Sequence, residues 1–306
     1  MTYTTEDIAV VIPAFNSAST IEKSLETIFA QNQLPGEIIV VDDGSSDGTE
    51  AVVKSSKYSS SIKYIRQDNG GPAAARNTGI FSTDKSWIAF LDADDNWIDA
   101  NKLSEQINMA NKYPSATLID TFADIDWHGS KIKKNRKLKS GKVFEGFLTE
   151  NIINATSSVL AKCKSIKQLG GFDEDLRFGE DRLLWAKLAQ IGEVHTVPQV
   201  TVMKFNEVGN LTSNGAKNYP HRLKLVNALL TLTQFTNEQQ KRIWMDNLVE
   251  FLRLDFQTNN VEHFLHVFAD AWKLSGEKIL LTRYFPLALY AKLFGSFRPL
   301  IKSVEK

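Results

Sequence analysis

Apolar residues along the first hundred positions fall into two alternating rhythms. Continuous runs of strand length, IAVVIPAF (8–15), EIIVVDDG (37–44), IKYIRQ (62–67) and SWIAFLD (86–92), alternate with segments of helical spacing. In STIEKSLETIFAQ (19–31), Ile21, Leu25, Ile28 and Phe29 share one helical face, and Ser19 or Thr20 is placed to cap it. SDGTEAVVKSSKY and GPAAARNTGIF (71–81) are the next two predicted helices. Near-continuous apolar strands alternating with helices predict a mostly parallel sheet covered on both faces. Ligands of such sheets sit beyond the carboxyl ends of the strands. DDGS follows the second strand and DADD the fourth, so both acidic clusters are expected on one rim.

Past about residue 115 the rhythm changes. ATLIDTFADIDW and VHTVPQVTVMKF (194–205) read as further strands, and GFDEDLRFGEDRLLWAKLAQIG (171–192) as a loop entering a helix. Beyond Pro220 the chain is helical in pattern throughout. The predicted organisation is an α/β domain over 1–215 and an α-helical C-terminal extension over 216–306. No internal repeat or low-complexity linker marks the boundary.

Composition narrows the function. The 306 residues balance 36 Lys and Arg against 36 Asp and Glu, so no nucleic-acid partner is expected. A single cysteine, Cys163, excludes an internal disulfide and suits a reducing compartment. The N-terminus lacks a signal-peptide pattern, and no window reaches the roughly 20 apolar residues of a spanning helix. A cytoplasmic protein is expected.

Four acidic or glycine-rich stretches carry candidate chemistry, and each has a plain structural reading beside the functional one. VVDDGSSDGT (40–49) is a strand-to-helix turn, yet adjacent Asp42 and Asp43 could accept hydrogen bonds from a nucleobase or ribose. FLDADDNW (90–97) is a solvated turn, or a place where Asp92 and Asp94 put two oxygens on one hard cation. Such a cation would relieve the mutual repulsion of three carboxylates and attract a diphosphate. NGGPAAARNTG (69–79) leads glycines into a helix N-terminus, with Arg76 either in an ion pair or near an anion. In FGEDRLLWAKL (178–188), Glu180 and Asp181 complement a helix dipole, or act in catalysis.

Taken together, AVVIPAFNSASTIEKSLETIFAQ, EIIVVDDGSSDGT, NGGPAAARNTGI, WIAFLDADDNW and GGFDEDLRFGEDRLLWAKLAQIG resemble the family 2 inverting glycosyltransferases of the GT-A fold. The resemblance covers roughly residues 6–212. It implies a GT-A, Rossmann-like sheet with helices on both faces. The turn Pro13, Ala14, Phe15, Asn16 would line the nucleotide, Asp43 would meet the base with Asp42 beside it, and Arg76 would lie near the donor. The D-x-D motif falls on Asp92, near the ribose, and Asp94, holding Mn²⁺ or Mg²⁺; Asp95 is an ambiguous third carboxylate, counted with the donor-binding residues. Asp181 is the implied general base, with Glu180 assisting on the acceptor side. The family's Y-R-x-H-like segment is replaced by MKFNEVGNLTSN, which puts Lys204 near the arginine and Asn206 near the histidine that can approach the metal.

The partners so implied are a nucleotide-sugar donor, UDP-linked by family frequency, and a glycan or lipid-linked glycan acceptor of a bacterial surface polysaccharide. From Gly276 to Lys306 six Lys and Arg outnumber two acids among several aromatics, which suits a peripheral contact with the inner membrane. A helical cap or a homo-oligomer surface explains the same residues. Two rivals stand: a sugar-nucleotidyltransferase, although IPAFNSAST lacks its Gly-rich loop with nearby Arg and Lys, and a catalytically silent nucleotide- or sugar-binding subunit.

Overall fold

The computed structural model describes residues 2–127, 130–133, 138–206, 215–257, 259–274 and 284–297. The chain divides into two compact units, Met1–Phe147 with Asn151–Glu207, and Leu148–Glu150 with Val208–Lys306.

In the first unit, β1 (Ile8–Ala14), α1 (Ile21–Phe29), β2 (Glu37–Asp42), α2 (Thr49–Ser55), β3 (Lys63–Arg66), α3 (Pro72–Phe81) and β4 (Trp87–Phe90) follow the predicted alternation. β5 (Asn96–Trp97), α4 (Lys102–Lys112), β6 (Ala116–Trp127), β7 (Ser130–Lys133), β8 (Ser140–Gly141) and α5 (Phe144–Thr149) come next. β9 (Leu160–Lys162), α6 (Cys163–Gln168), α7 (Glu180–Ile191) and β10 (Glu193–Asn206) complete the unit. One sheet runs β3-β2-β1-β4-β9-β6-β10-β5, with β7 beside β6 and β8 beside β10.

Strands β1 to β4 pair in parallel, as do β6 and β10. The three residues of β9 lie antiparallel between β4 and β6, so β6 still points the same way as β4. Apart from half-buried Pro13 and Glu37, every residue of β1, β2 and β4 is buried, as expected for strands covered on both faces. Pro13 is tolerated in β1 because pairing with β4 ends at Val11–Phe90, short of its missing N–H. Of the predicted α1 face, Ile21, Leu25 and Ile28 are fully buried and Phe29 packs against the same cluster. α3 approaches β1 closely through Gly79, where a Cβ would lie 2.4 Å from Val11 Cγ1. That contact sets the height at which Arg76 and Asn77 meet the rim.

The second unit holds α8 (Gly215–Leu230), α9 (Asn237–Gln257), α10 (Val261–Leu274) and α11 (Phe285–Phe294). Its core includes Leu225, Val226, Leu252, Phe264, Val267 and Phe297. Inside it, His263 Nδ1 lies 2.6 Å from Asp255 Oδ2, and the Tyr219 hydroxyl donates to Asp270 at 2.7 Å. On α11, Ala288 and Ala291 are buried while Phe285, Leu289 and Lys292 face outward. No helix of the described residues is long and apolar enough to cross a membrane.

Candidate active site

Both acidic clusters lie beyond the carboxyl ends of their strands, on the same rim. Asp42 closes β2 with no exposed surface. Its carboxylate accepts from Ser45 N and Arg66 Nη1, each at 2.8 Å, and from the Tyr64 hydroxyl. Burial alone would raise its pKa; these hydrogen bonds and the Arg66 charge outweigh that and hold it below the usual carboxylate range. Asp43 is engaged as fully: Oδ1 accepts from Gln67 Nε2 at 2.7 Å and Gly70 N at 2.9 Å, and Oδ2 from Gly71 N at 2.7 Å. The two aspartates thus shape the segment between β3 and α3. Pro13 and Ala14 end β1 beside them, and Phe15 follows with half its surface exposed. Asn16 takes a positive φ of 50° and locks the turn, donating N–H to Ser45 Oγ and accepting Ser46 N–H, both at 2.9 Å.

The D-x-D turn points its carboxylates two ways. Asp92 and Asp94 are half-buried, whereas Asp95 has no exposed surface. One oxygen from each of the three lies within 4.8 Å of the others. Asp95 Oδ2 accepts from Ser157 Oγ at 2.6 Å and Oδ1 from Phe205 N at 3.3 Å, so both of its oxygens are tied into the surrounding chain. Burial pushes its carboxyl up to about 7; Lys204 opposes the rise, and Asp92 and Asp94 add to it. The half-buried pair offers hard oxygen donors, a set that fits Mg²⁺ or Mn²⁺.

Arg76 joins this turn to the start of α7. It donates from Nη2 to Asp92 Oδ1 at 2.7 Å and from Nη1 to Glu180 Oε1 at 3.2 Å, with its guanidinium 5.4 Å from the centre of the Phe172 ring. Burial disfavours its charge, but Asp92 and Glu180 more than compensate, so the guanidinium stays protonated. Glu180 is pushed up to about 7, by burial first and the Asp181 charge second, against the pull of Arg76. Asp181 Oδ2 accepts from Asn151 Nδ2 at 3.0 Å. Lys204, on β10, is half-buried, and burial disfavours its charge; Asp95, Asp92, Asp94 and Asp181 outweigh this and raise its pKa. Asn206 ends β10, but its side chain lies outside the described residues.

The structure therefore brings Arg76, Asp92, Asp94 and Glu180 together with Asp181, while the carboxylates of Asp42, Asp43 and Asp95 are engaged by hydrogen bonds within the chain. Three braces are absent from the sequence-based set. Ser24 and Ser157 bond the D-x-D turn. Asn77 donates to Phe172 O at 2.9 Å and accepts Phe172 N–H at 2.7 Å, holding the loop that leads to α7. Only Asn77 had a visible signal, as the residue after Arg76 in the same small-residue helix.

A mixed sheet with carboxylates gathered on the rim beyond its strands, flanked by helices and followed by a helical segment, defines the GT-A class of architecture. The family model for glycosyl transferase family 2 matches residues 9–167, and the chain belongs to that family. It is 30% identical over 198 residues to the succinoglycan biosynthesis protein ExoO of Rhizobium meliloti, covering 61% of this chain and 56% of that one. Over 107 residues it is 39% identical to WfgD of Escherichia coli, a UDP-Glc:alpha-D-GlcNAc-diphosphoundecaprenol beta-1,3-glucosyltransferase, covering 34% and 41%. The chain thus spans about half the length of these two curated relatives, and 26% of an uncharacterized glycosyltransferase of Rickettsia bellii to which it is 31% identical over 183 residues, 60% of this chain. Among solved structures, S. aureus TarS 1-349 in complex with UDP-GlcNAc superposes with a TM-score of 0.68 at 18% identity, covering 97% of this chain and 91% of that one. The mannosyltransferase PcManGT of Pyrobaculum calidifontis, in complex with GDP-Man and Mn²⁺, gives 0.62 at 19%, covering 97% and 83%.

Proposed function

We propose that the chain is an inverting glycosyltransferase. It moves a sugar from a nucleoside-diphosphate sugar, UDP-linked, to a hydroxyl of a glycan or lipid-linked glycan during surface-polysaccharide synthesis. The observation that carries this reading is Arg76, whose guanidinium ties Asp92 of the D-x-D turn to Glu180 at the start of α7. Donor-side and acceptor-side carboxylates are thereby held in one constellation.

Residues 1–215 serve as the donor-binding and catalytic part, with Pro13, Ala14, Phe15, Asn16, Asp42 and Asp43 along the nucleotide. Asp92 and Asp94, with Asn206, would hold Mg²⁺ or Mn²⁺, which would supply positive charge to the departing diphosphate. Asp181 takes the proton of the acceptor hydroxyl as its oxygen bonds the anomeric carbon from the face opposite the donor phosphate. The bond to the diphosphate oxygen breaks in the same displacement, so the anomeric centre inverts. Positioned base catalysis of this kind is worth roughly 10²–10⁴-fold. Glu180, with Arg76 against it, lies on the acceptor side of Asp181. ExoO by its name supports the polysaccharide role; WfgD by its name supports the UDP carrier, as does the UDP-GlcNAc bound to TarS; the Mn²⁺ bound to PcManGT supports the metal.

Residues 216–306 serve acceptor, membrane or subunit contacts. The outward Phe285, Leu289 and Lys292 of α11 suit an anionic inner-leaflet surface on the cytoplasmic side. The test is a thermal-shift panel of UDP, GDP, dTDP and CMP, each with Mn²⁺, with Mg²⁺ and with EDTA. Ligand at 100 times Kd stabilises by roughly 2.7 kcal/mol. A shift given by UDP and abolished by EDTA is expected; no shift with any nucleotide refutes the reading.

A further inference from the structure

We propose that Ser24 and Ser157 are positioning residues for the turn that presents Asp92 and Asp94, an inference that rests on the donor-binding reading above. Both hydroxyls are inaccessible to solvent, at 1% and 0% residue exposure, and a buried hydroxyl costs stability unless it is bonded. Each directs its bonding at this single turn. Ser157 Oγ accepts Asp92 N–H at 3.0 Å and donates to Asp95 Oδ2 at 2.6 Å, gripping the turn at both ends. Ser24 Oγ lies 2.8 Å from Ala93 O and 2.8 Å from Asp95 O, sharing its proton between the two carbonyls inside the turn. The turn itself is closed by Asp95 N–H on Asp92 O at 3.0 Å.

A serine within a helix commonly points to solvent or gives its proton to the carbonyl four residues back in its own helix. Ser24, in α1, sends its proton to a carbonyl 69 positions away. Ser157 comes from the opposite direction, the 3-10 turn Thr156–Ser158 before β9. Its backbone is fixed in turn, because Trp97 Nε1 donates to Ser157 O at 2.9 Å and Gln106 Nε2 to Ser158 O at 2.9 Å. A helix and a strand entry therefore hold the turn from within, and its two half-buried carboxylates keep their spacing before any ligand arrives. Groups held in this way lose little freedom on binding, so the clamp acts on affinity for what Asp92 and Asp94 hold.

The full chain is titrated with Mn²⁺ alone and with Mn²⁺ plus UDP, free Mn²⁺ being counted by its EPR signal. Thermal melts run in parallel. Ser157→Ala is expected to remain folded at the titration temperature and to weaken Mn²⁺ binding at least tenfold. Ser157→Thr, which restores the hydroxyl, is expected to recover affinity to within about threefold of the parent. A hydroxyl that served stability alone would lower the melting temperature and leave the Mn²⁺ titration unchanged, and that result overturns the proposal. Equal weakening by alanine and threonine overturns it too. If Ser157→Ala does not fold, Ser24→Ala carries the same test, and failure of both alanine variants to fold assigns the hydroxyls to core stability and refutes positioning. A parent chain that binds neither Mn²⁺ nor UDP brings down the glycosyl-transfer reading and this proposal together; a binding parent with unaffected variants removes only this one.

Discussion

Arg76 stands between Asp92 and the first residue of α7, its Nη2 2.7 Å from Asp92 Oδ1 at 5% residue exposure. Because the same guanidinium reaches Glu180, neither carboxylate faces the low-dielectric rim without a cation. Removing one partner of a buried pair leaves the other uncompensated. Arg76→Met is expected to destabilise the fold by roughly 3 kcal/mol and to abolish turnover. Arg76→Lys keeps one contact and loses the planar fork, so it should fold and still fall at least tenfold in kcat/KM. Chemical denaturation and donor kinetics check both variants.

The proposed mechanism gives the acceptor proton to Asp181. Asp181→Asn is expected to lower kcat by about 10²–10⁴ while leaving nucleotide affinity unchanged. Paired calorimetry and turnover measurements decide it; a fall in nucleotide affinity equal to the fall in kcat would move Asp181 to the donor side.

Glu180 gives a pH signature. Its folded pKa, about 7, lies above its ordinary value of 4.5, so the fold is favoured by the protonated form. Stability from this group is intact below pH 4.5, declines as pH climbs from there to 7, and is level above 7. Glu180→Gln escapes the decline, so the melting temperature of the variant minus that of the parent should rise between pH 5 and pH 8. A flat or falling difference contradicts the assignment.

Lys102 provides the opposite sign within the core. Its Nζ donates to Gln106 Oε1 at 2.7 Å and lies 4.3 Å from the centre of the Trp97 ring, and burial drives its pKa down to about 7 from 10.5. The cost of burying it is greatest below pH 7 and shrinks as pH rises toward 10.5. Lys102→Met should therefore gain melting temperature relative to the parent more at pH 6 than at pH 9.

Gly79→Ala tests the seat of α3. A Cβ there meets Val11 Cγ1 at 2.4 Å, and overpacking of this kind costs about 1–3 kcal/mol. The helix must lift, taking Arg76 with it, so donor affinity should fall along with stability. Unchanged donor affinity in a destabilised variant would separate the seat of α3 from the site.

The elements that follow from local pattern were legible in the sequence. Ile21–Phe29 falls within the predicted STIEKSLETIFAQ helix, Pro72–Phe81 fills the predicted small-residue helix, and three of the continuous apolar runs are β1, β2 and β4. The antiparallel insertion of β9 was not, because three residues, Leu160–Lys162, carry no period and their direction depends on what lies either side. That Arg76, Asp92, Asp94, Glu180 and Asp181 gather in one place was legible through motif spacing. That Asp95 turns inward was hidden, since nothing in DADD separates one aspartate from the next; Ser157 Oγ and Phe205 N, from distant segments, decide it. Ser24 was hidden for the same reason, its partners lying 69 and 71 positions along the chain.

The three donors on Asp43 have a kinetic consequence. Gln67, Gly70 and Gly71 already occupy the carboxylate, and 2% residue exposure leaves little open path to it. A nucleobase read by Asp43 must take over a hydrogen bond that the chain now gives itself. The exchange adds little net binding energy, because one bond replaces another. On the proposed reading, base recognition becomes one event with the parting of the segment between β3 and α3. Its signature is an association rate that saturates with nucleotide concentration, set by how often that segment opens.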